Sequence, residues 1–405
     1  MSTEKQFDII IWGASGFTGR LVAEYLNHQY GIDGSLRWAM AGRSEAKLRE
    51  VANEIGAVGV PIVTGNATDP ASLDALVRQT RVICTTVGPY QKYGSALVAA
   101  CCEAGTDYVD LSGEPAWMRE MIDQYGERAK RTGARIVHSC GFDSIPFDMA
   151  VFYAQQYARE KFGGPFREIK GRVKAVKGKA SGGTVASMVA TIEAGGDDPV
   201  VGQVMTNPYG LAPDDRATRP RQPNGNTTFY DEDSKSWVAP FIMAVINTKN
   251  VHRSNTLMQY PYGEDFLYSE MMMVKSSIAA KLGAAGMGLF AGALSVGPLR
   301  SLLKKFVLPA PGEGPNAQER EEGFYVLNFY GKTDDGQTAF IKVSGDRDPG
   351  YGSTSKMIGE AAVCLALDIE KSQTAGGFWT PASAMGAPLI ARLTENAGLT
   401  FSVEG

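Results

Sequence analysis

The chain has 405 residues, 44% of them hydrophobic, and a formal net charge of −4. That length and apolar content support a large core divided between two domains, and the mild charge, with no basic stretch interleaved with aromatics, argues against a nucleic-acid surface. The cysteines at 84, 101, 102, 140 and 364 form no CxxC pair and are odd in number, which suits a reducing compartment, and the scattered His28, His138 and His252 give no metal-site pattern.

The polar start MSTEKQFD runs straight into an apolar strand and does not read as a signal peptide. Ile9, Ile10 and Ile11 predict a strand buried on both faces, followed by a helix with Leu21, Val22, Tyr25 and Leu26 on its apolar side. Between them lies GASGFTG. Gly13 allows a tight turn, Gly16 a close approach to a pyrophosphate, and Gly19 close packing of the helix. Ser15, Phe17 and Thr18 complete a turn whose amides point at an anion. The spacing is GxxGxxG rather than GxGxxG, and its placement between strand and helix is what identifies a dinucleotide site.

The second strand, Leu36 to Ala41, ends in Gly42, Arg43 and Ser44. An Asp or Glu here would hold a ribose 2′-hydroxyl, whereas Arg43, with Ser44 and Lys47 beside it, suits a 2′-phosphate and predicts NADP(H). The alternative is a solvated helix start in which Ser44 only caps the helix carrying Leu48, Val51, Ala52 and Ile55. A third run, Val58 to Val63, leads into a loop placing Asn66 and Ala67 near the adenine. A fourth, Arg81 to Val87, ends in Gly88, Pro89 and Tyr90. Val87, Gly88 and Pro89 are expected to touch the cofactor, because this loop neighbours the glycine turn at the topological switch point. A helix from Gly94 to Gly105, a strand from Tyr108 to Leu111 ending at Ser112, Gly113 and Glu114, a helix after Pro115, and a strand from Arg135 to Ser139 continue the series. The alternation predicts a doubly wound, mostly parallel sheet.

Past Asp148 a helix reaches Phe162, and Ile169 to Val176 reads as a half-exposed antiparallel strand. Gly182 and Gly183 precede an expected helix, Thr184 to Glu193, and Asn207 to Asp233 reads as a long loop or lid. Phe324 to Lys332 and Gln337 to Asp346 form a hairpin, so an antiparallel sheet is expected to dominate the second domain. A glycine-rich loop around Tyr351 then leads to a helix bearing Met357, Ala361, Val363, Leu365 and Leu367, and a final helix, Ala384 to Leu393, returns to the first domain. The uncharged stretch Leu282 to Leu299 admits three readings: a membrane span, a buried helix packed through its glycines, or a lipid-facing surface extended by Arg300, Lys304 and Lys305.

The Gly13 to Arg20 turn, Ala41-Gly42-Arg43, Thr86 to Tyr90, Asp110 to Glu114, Gly141 to Pro146, Gly345 to Lys356 and Gly377 to Ala382 together resemble the saccharopine dehydrogenase-like oxidoreductases, most closely their trans-acting enoyl reductase branch. The resemblance implies an α/β fold: a Rossmann-type doubly wound sheet (1–148) with an inserted α+β domain (149–350) and a C-terminal segment (351–405) folding back. It also implies NADP(H) in the cleft, with Gly113 at the cofactor, and reduction of a C=C bond in a lipid-like substrate. Imine chemistry of the saccharopine type and a non-catalytic NADP-binding scaffold are the other readings. For an enoyl reductase the proton donor is sought among Tyr90, Tyr93, Glu114 and Asp143, at strand-end loops, with Tyr90 first. Tyr90 could instead only pack at the cleft rim, and Asp143 only cap the Ile145 helix. A cytoplasmic protein is expected, with peripheral membrane contact through 282–305 and oligomerisation left open.

Overall fold

The computed structural model describes residues 5–178, 189, 199–213, 216–306 and 314–404. Strands β1 (Phe7–Trp12), β2 (Trp38–Gly42), β3 (Ile62–Thr64), β4 (Thr80–Thr85), β5 (Asp107–Val109) and β6 (Arg135–Val137) alternate with helices. Then come β7 (Glu168–Lys177), β8 (Phe229–Asp231), β9 (Ser236–Pro240), β10 (Leu267–Val274), β11 (Phe324–Lys332), β12 (Thr338–Gly345), β13 (Gly377–Trp379) and β14 (Leu399–Glu404).

The first sheet is parallel throughout, in the order β13-β6-β5-β4-β1-β2-β3. β4 stands at its centre, and beside it lies β1, whose six residues are all buried. The period of two in a strand divides them. Ile9 and Ile11 face Val22, Leu26, Leu48 and the helix Thr354–Leu367, whereas Ile10 and Trp12 face Leu73, Leu76, Leu97 and Met118. This is the doubly wound architecture expected from the alternating pattern, and the strand order reverses beside β1.

The second sheet, β14-β12-β11-β7-β10-β9-β8, is antiparallel except for the β7–β10 pair. β7 is therefore parallel to one neighbour and antiparallel to the other, which its own alternation could not distinguish. Ile169 and Val173 pack with Leu327, Phe329 and the helix Ile145–Phe162. On the other face Arg172 is 1% exposed, held by Asp231 at 2.6 Å. A buried cation on a nominally outward position needs such a partner. The expected hairpin forms as β11–β12. The expected 207–233 loop ends early, at β8; the expected Thr184–Glu193 helix lies outside the described residues except at Val189.

The last part of the chain serves both sheets, since β13 pairs with β6 while β14 pairs with β12. Buried Glu360 accepts bonds from Tyr25 (2.6 Å), Tyr30 (2.5 Å) and Arg392 (3.2 Å), joining both C-terminal helices to the first helix of the Rossmann sheet. All five cysteines are buried and free.

The segment after β10 overturns one of the three readings given for Leu282 to Leu299. The helix Ser277–Ser295 is largely exposed, and among the described residues no side chain or neighbouring backbone comes within 4 Å of where a Cβ would stand on Gly283, Gly286, Gly288 or Gly292. It is not a buried helix packed through its glycines.

Candidate functional site

The glycine turn closes on itself by hydrogen bonds from Gly13 N to Ala41 O (3.0 Å) and from Gly16 N to Gly13 O (2.9 Å). Gly13 has φ +90°, and a Cβ on it would meet Val87 Cγ2 at 2.4 Å; a Cβ on Gly19 would meet Gly13 O at 2.2 Å. Neither position accepts a side chain. The 14-residue helix Phe17–Tyr30 starts at Gly16 without a side-chain cap, which leaves the amides of Phe17, Thr18 and Gly19 for an anion. Ser15 Oγ lies 3.6 Å from a Cβ position on Gly42, so the turn adjoins the tip of β2.

Beyond that tip, Arg43, Thr64, Gly65, Asn66, Thr68 and Ser72 line an open cleft of about 590 Å³. Arg43 is exposed and has no ion-pair partner among the described residues. Ser44 caps the helix Glu45–Glu54, accepting from Lys47 N at 3.4 Å, and Lys47 is exposed on its first turn. Asn66 Oδ1 accepts from Thr68 N and Oγ1, which shapes the cleft floor, while Ala67 packs against the apolar layer beneath. Glycines that admit no Cβ, uncapped amides and a guanidinium at the β2 tip fit a dinucleotide bearing a ribose phosphate.

The next strand tips converge on the same edge. Val87 packs on Gly13, and Gly88 and Pro89 follow it. Asp143 Oδ2 lies 3.7 Å from a Cβ position on Gly113. Asp143 is half-buried and has no hydrogen-bond partner among the described residues; desolvation raises its carboxyl to about 7. Its loop is clamped from two sides. Phe142 N donates to Thr354 Oγ1 (3.0 Å), and the Phe142 ring meets Tyr325 edge-on at 4.9 Å.

Tyr90, the first candidate donor, sits as a buried packing residue. Its hydroxyl donates to Thr85 O (3.3 Å) and accepts from Leu111 N (3.0 Å), and only 4% of the residue is exposed. Burial and the nearby Asp110 push this phenol well above its ordinary value. It ties β4 to the β5 loop. Glu114 accepts from the amides of Tyr90 and Gln91, each at 2.9 Å, and so shapes the Pro89 turn. Tyr93 is half exposed at the surface and Lys356 pairs with Asp346 (3.4 Å). Tyr351 packs edge-on against Phe17 at 4.7 Å, closing the far side of the glycine turn.

A buried polar chain behind Asp143 escaped the sequence reading. Ser144 Oγ accepts from Asn250 Nδ2 (2.6 Å) and donates to Asn247 Oδ1 (3.3 Å). Asn247 Nδ2 in turn donates to Glu270 Oε2 (2.8 Å), and Tyr268 donates to Glu270 Oε1 (2.8 Å). Burial lifts Glu270 to about 8. The available signal was the helix Ala244–Leu257, polar on every face yet set between apolar strands. Among the described residues no group of His, Cys, Asp and Glu is arranged to hold a metal.

Residues 9–137 match the Saccharopine dehydrogenase NADP binding domain family. A Mycobacterium tuberculosis protein, provisionally named a trans-acting enoyl reductase, is 42% identical over 97% of this chain and 96% of its own length. The trans-acting enoyl reductase of Mycobacterium ulcerans is 37% identical over 97% of both chains. In fold, the chain is similar to apo saccharopine dehydrogenase (L-Glu forming) from Saccharomyces cerevisiae, with a TM-score of 0.54 and 13% identity over 98% of this chain and 100% of that one.

Proposed function

Since the chain belongs to the trans-acting enoyl reductase family of saccharopine dehydrogenase-like proteins, and is an NADP(H)-dependent oxidoreductase, we propose that it reduces the C=C bond of a lipid-like enoyl substrate in the cleft between its two sheets. The observation that carries this reading is Asp143. Its unpartnered carboxyl stands beside Gly113 at the carboxyl edge of the parallel sheet and, held near 7, is still partly protonated at neutral pH.

Bound NADPH supplies the hydride for the β-carbon. Asp143 gives its proton to the α-carbon and, being half-exposed, takes another from water. Arg43, Ser44 and Lys47 hold the ribose phosphate; Ser15 and the amides of Phe17, Thr18 and Gly19 hold the diphosphate; Val87, Gly88, Pro89 and Gly113 line the inner end. Asn66 and Ala67 flank the adenine. Tyr90 acts as a strut rather than as the donor. We place the protein in the cytoplasm, where free buried thiols stay reduced, with peripheral membrane contact through 282–305.

The test is NADPH consumption with enoyl thioesters of increasing chain length, run beside keto-acid plus amine pairs. Turnover of the long enoyl thioesters, lost in Asp143→Asn, supports the reading. Turnover of the amine pairs alone replaces it with imine reduction, and tight NADPH binding without turnover of either set replaces it with a scaffold.

A further inference from the structure

The helix Ser277–Ser295 presents a row of large apolar side chains to solvent. Ile278 and Leu282 are each 68% exposed and Leu289 76%, with exposed Ala285 between them. Spacings of four, three and four put these positions on one helix face. The helix meets the protein near its two ends, where Ala280 and Leu294 are buried and Phe290 and Leu303 pack on Leu294 and Val189. The row continues past the helix end through Val296 and Leu299, about half exposed.

Along the chain, the charges flanking this row all have one sign. From residue 271 to 312 the sequence contains Lys275, Lys281, Arg300, Lys304 and Lys305 and no Asp or Glu, although the whole chain carries net −4. Lys275 and Lys281 are exposed at the start of the row. An apolar stripe flanked by cations on an otherwise acidic protein complements an anionic lipid surface.

Nineteen residues make about 28 Å of helix, enough to cross a bilayer core. The topology decides against crossing. β10 enters this segment and β11 leaves it, and both pair with β7 in the same sheet. A single span would set its two ends on opposite sides of the membrane, which one sheet cannot follow. We infer that the helix lies flat on an anionic bilayer, with Ile278, Leu282 and Leu289 among the acyl chains and Lys275 and Lys281 at the head groups. This deepens the peripheral contact proposed above and does not depend on the reaction.

The experiment is co-sedimentation of the full chain with vesicles of phosphatidylcholine alone and of phosphatidylcholine with an equal part of phosphatidylglycerol. Wild type should bind the mixed vesicles, less so as salt rises, and bind the neutral ones weakly. Leu282→Asp with Leu289→Asp should lower the partition by more than about tenfold, and Lys275→Glu with Lys281→Glu by at least about fivefold. Unchanged NADPH affinity in both variants shows that they are folded. The inference is overturned if the variants sediment like wild type, if neutral and anionic vesicles bind equally, or if wild type ignores vesicles and forms a dimer that Leu289→Asp dissociates. A protein that binds vesicles but reduces no enoyl thioester overturns only the proposed reaction.

Discussion

Asp143 Oδ2 stands 3.7 Å from the point where a side chain on Gly113 would begin, so two loops from neighbouring strand ends meet around one half-buried carboxyl. Asp143→Asn keeps the shape and removes the acid. With an enoyl thioester, kcat/KM should fall roughly 10²- to 10⁴-fold, and the wild-type pH profile should lose its limb near 7. NADPH affinity, read by titration calorimetry, should stay within a factor of about two, a margin of about 0.4 kcal/mol.

The Tyr90 hydroxyl makes the opposite prediction. Tyr90→Phe leaves Leu111 N without its partner, so denaturant unfolding should report a loss of about 1–3 kcal/mol. Turnover of the folded enzyme should remain close to wild type. A fall in kcat as large as that of Asp143→Asn would restore Tyr90 as the proton donor.

Arg43→Ala should separate the two nicotinamide cofactors. Loss of a guanidinium at the ribose phosphate should weaken NADPH roughly ten- to a hundredfold and leave NADH nearly unaffected. Equal weakening of both would make Arg43 a structural residue of the β2 tip.

Gly19→Ala drives a methyl group onto Gly13 O and should cost about 1–3 kcal/mol together with most of the cofactor affinity. Gly126→Ala is its control. That helical glycine has nothing within 4 Å of a Cβ, so the change should stabilise the protein by about 0.5–1 kcal/mol and leave binding alone.

Glu270 sets part of the pH dependence of stability. Its folded value of about 8 lies above the ordinary 4.5, so the folded chain holds the proton more tightly than the unfolded one. That contribution is full below about 4.5 and is lost as pH rises through 8. Asp148, raised to about 7 by burial, acts in the same direction. The Tm of wild type should therefore fall across this window, and Glu270→Gln should shallow the slope without abolishing it.

Several features of this protein were legible in short stretches of chain. Three isoleucines before a glycine turn, an Arg at the second strand tip and a hairpin over 324–346 each depend on residues close together in sequence, so pattern alone identified β1, the cofactor preference and the β11–β12 pair. What the tertiary structure decided depends on distant partners. Tyr90 and Asp143 were both candidate donors in the sequence, each with a structural alternative, and only the fold set Thr85 O and Leu111 N against the Tyr90 hydroxyl and left the Asp143 carboxyl beside Gly113 without a hydrogen-bond partner among the described residues. The Ser144–Asn247–Glu270 chain joins residues up to more than a hundred positions apart, and the return of both β10 and β11 to β7 shows that the two ends of the segment carrying Leu282 belong to one sheet. Local pattern determines which elements form, because backbone geometry repeats every two or 3.6 residues. Desolvation and hydrogen-bond partnership have no such period, so the surroundings of Tyr90, Asp143 and Glu270 were decided only when distant parts of the chain came together.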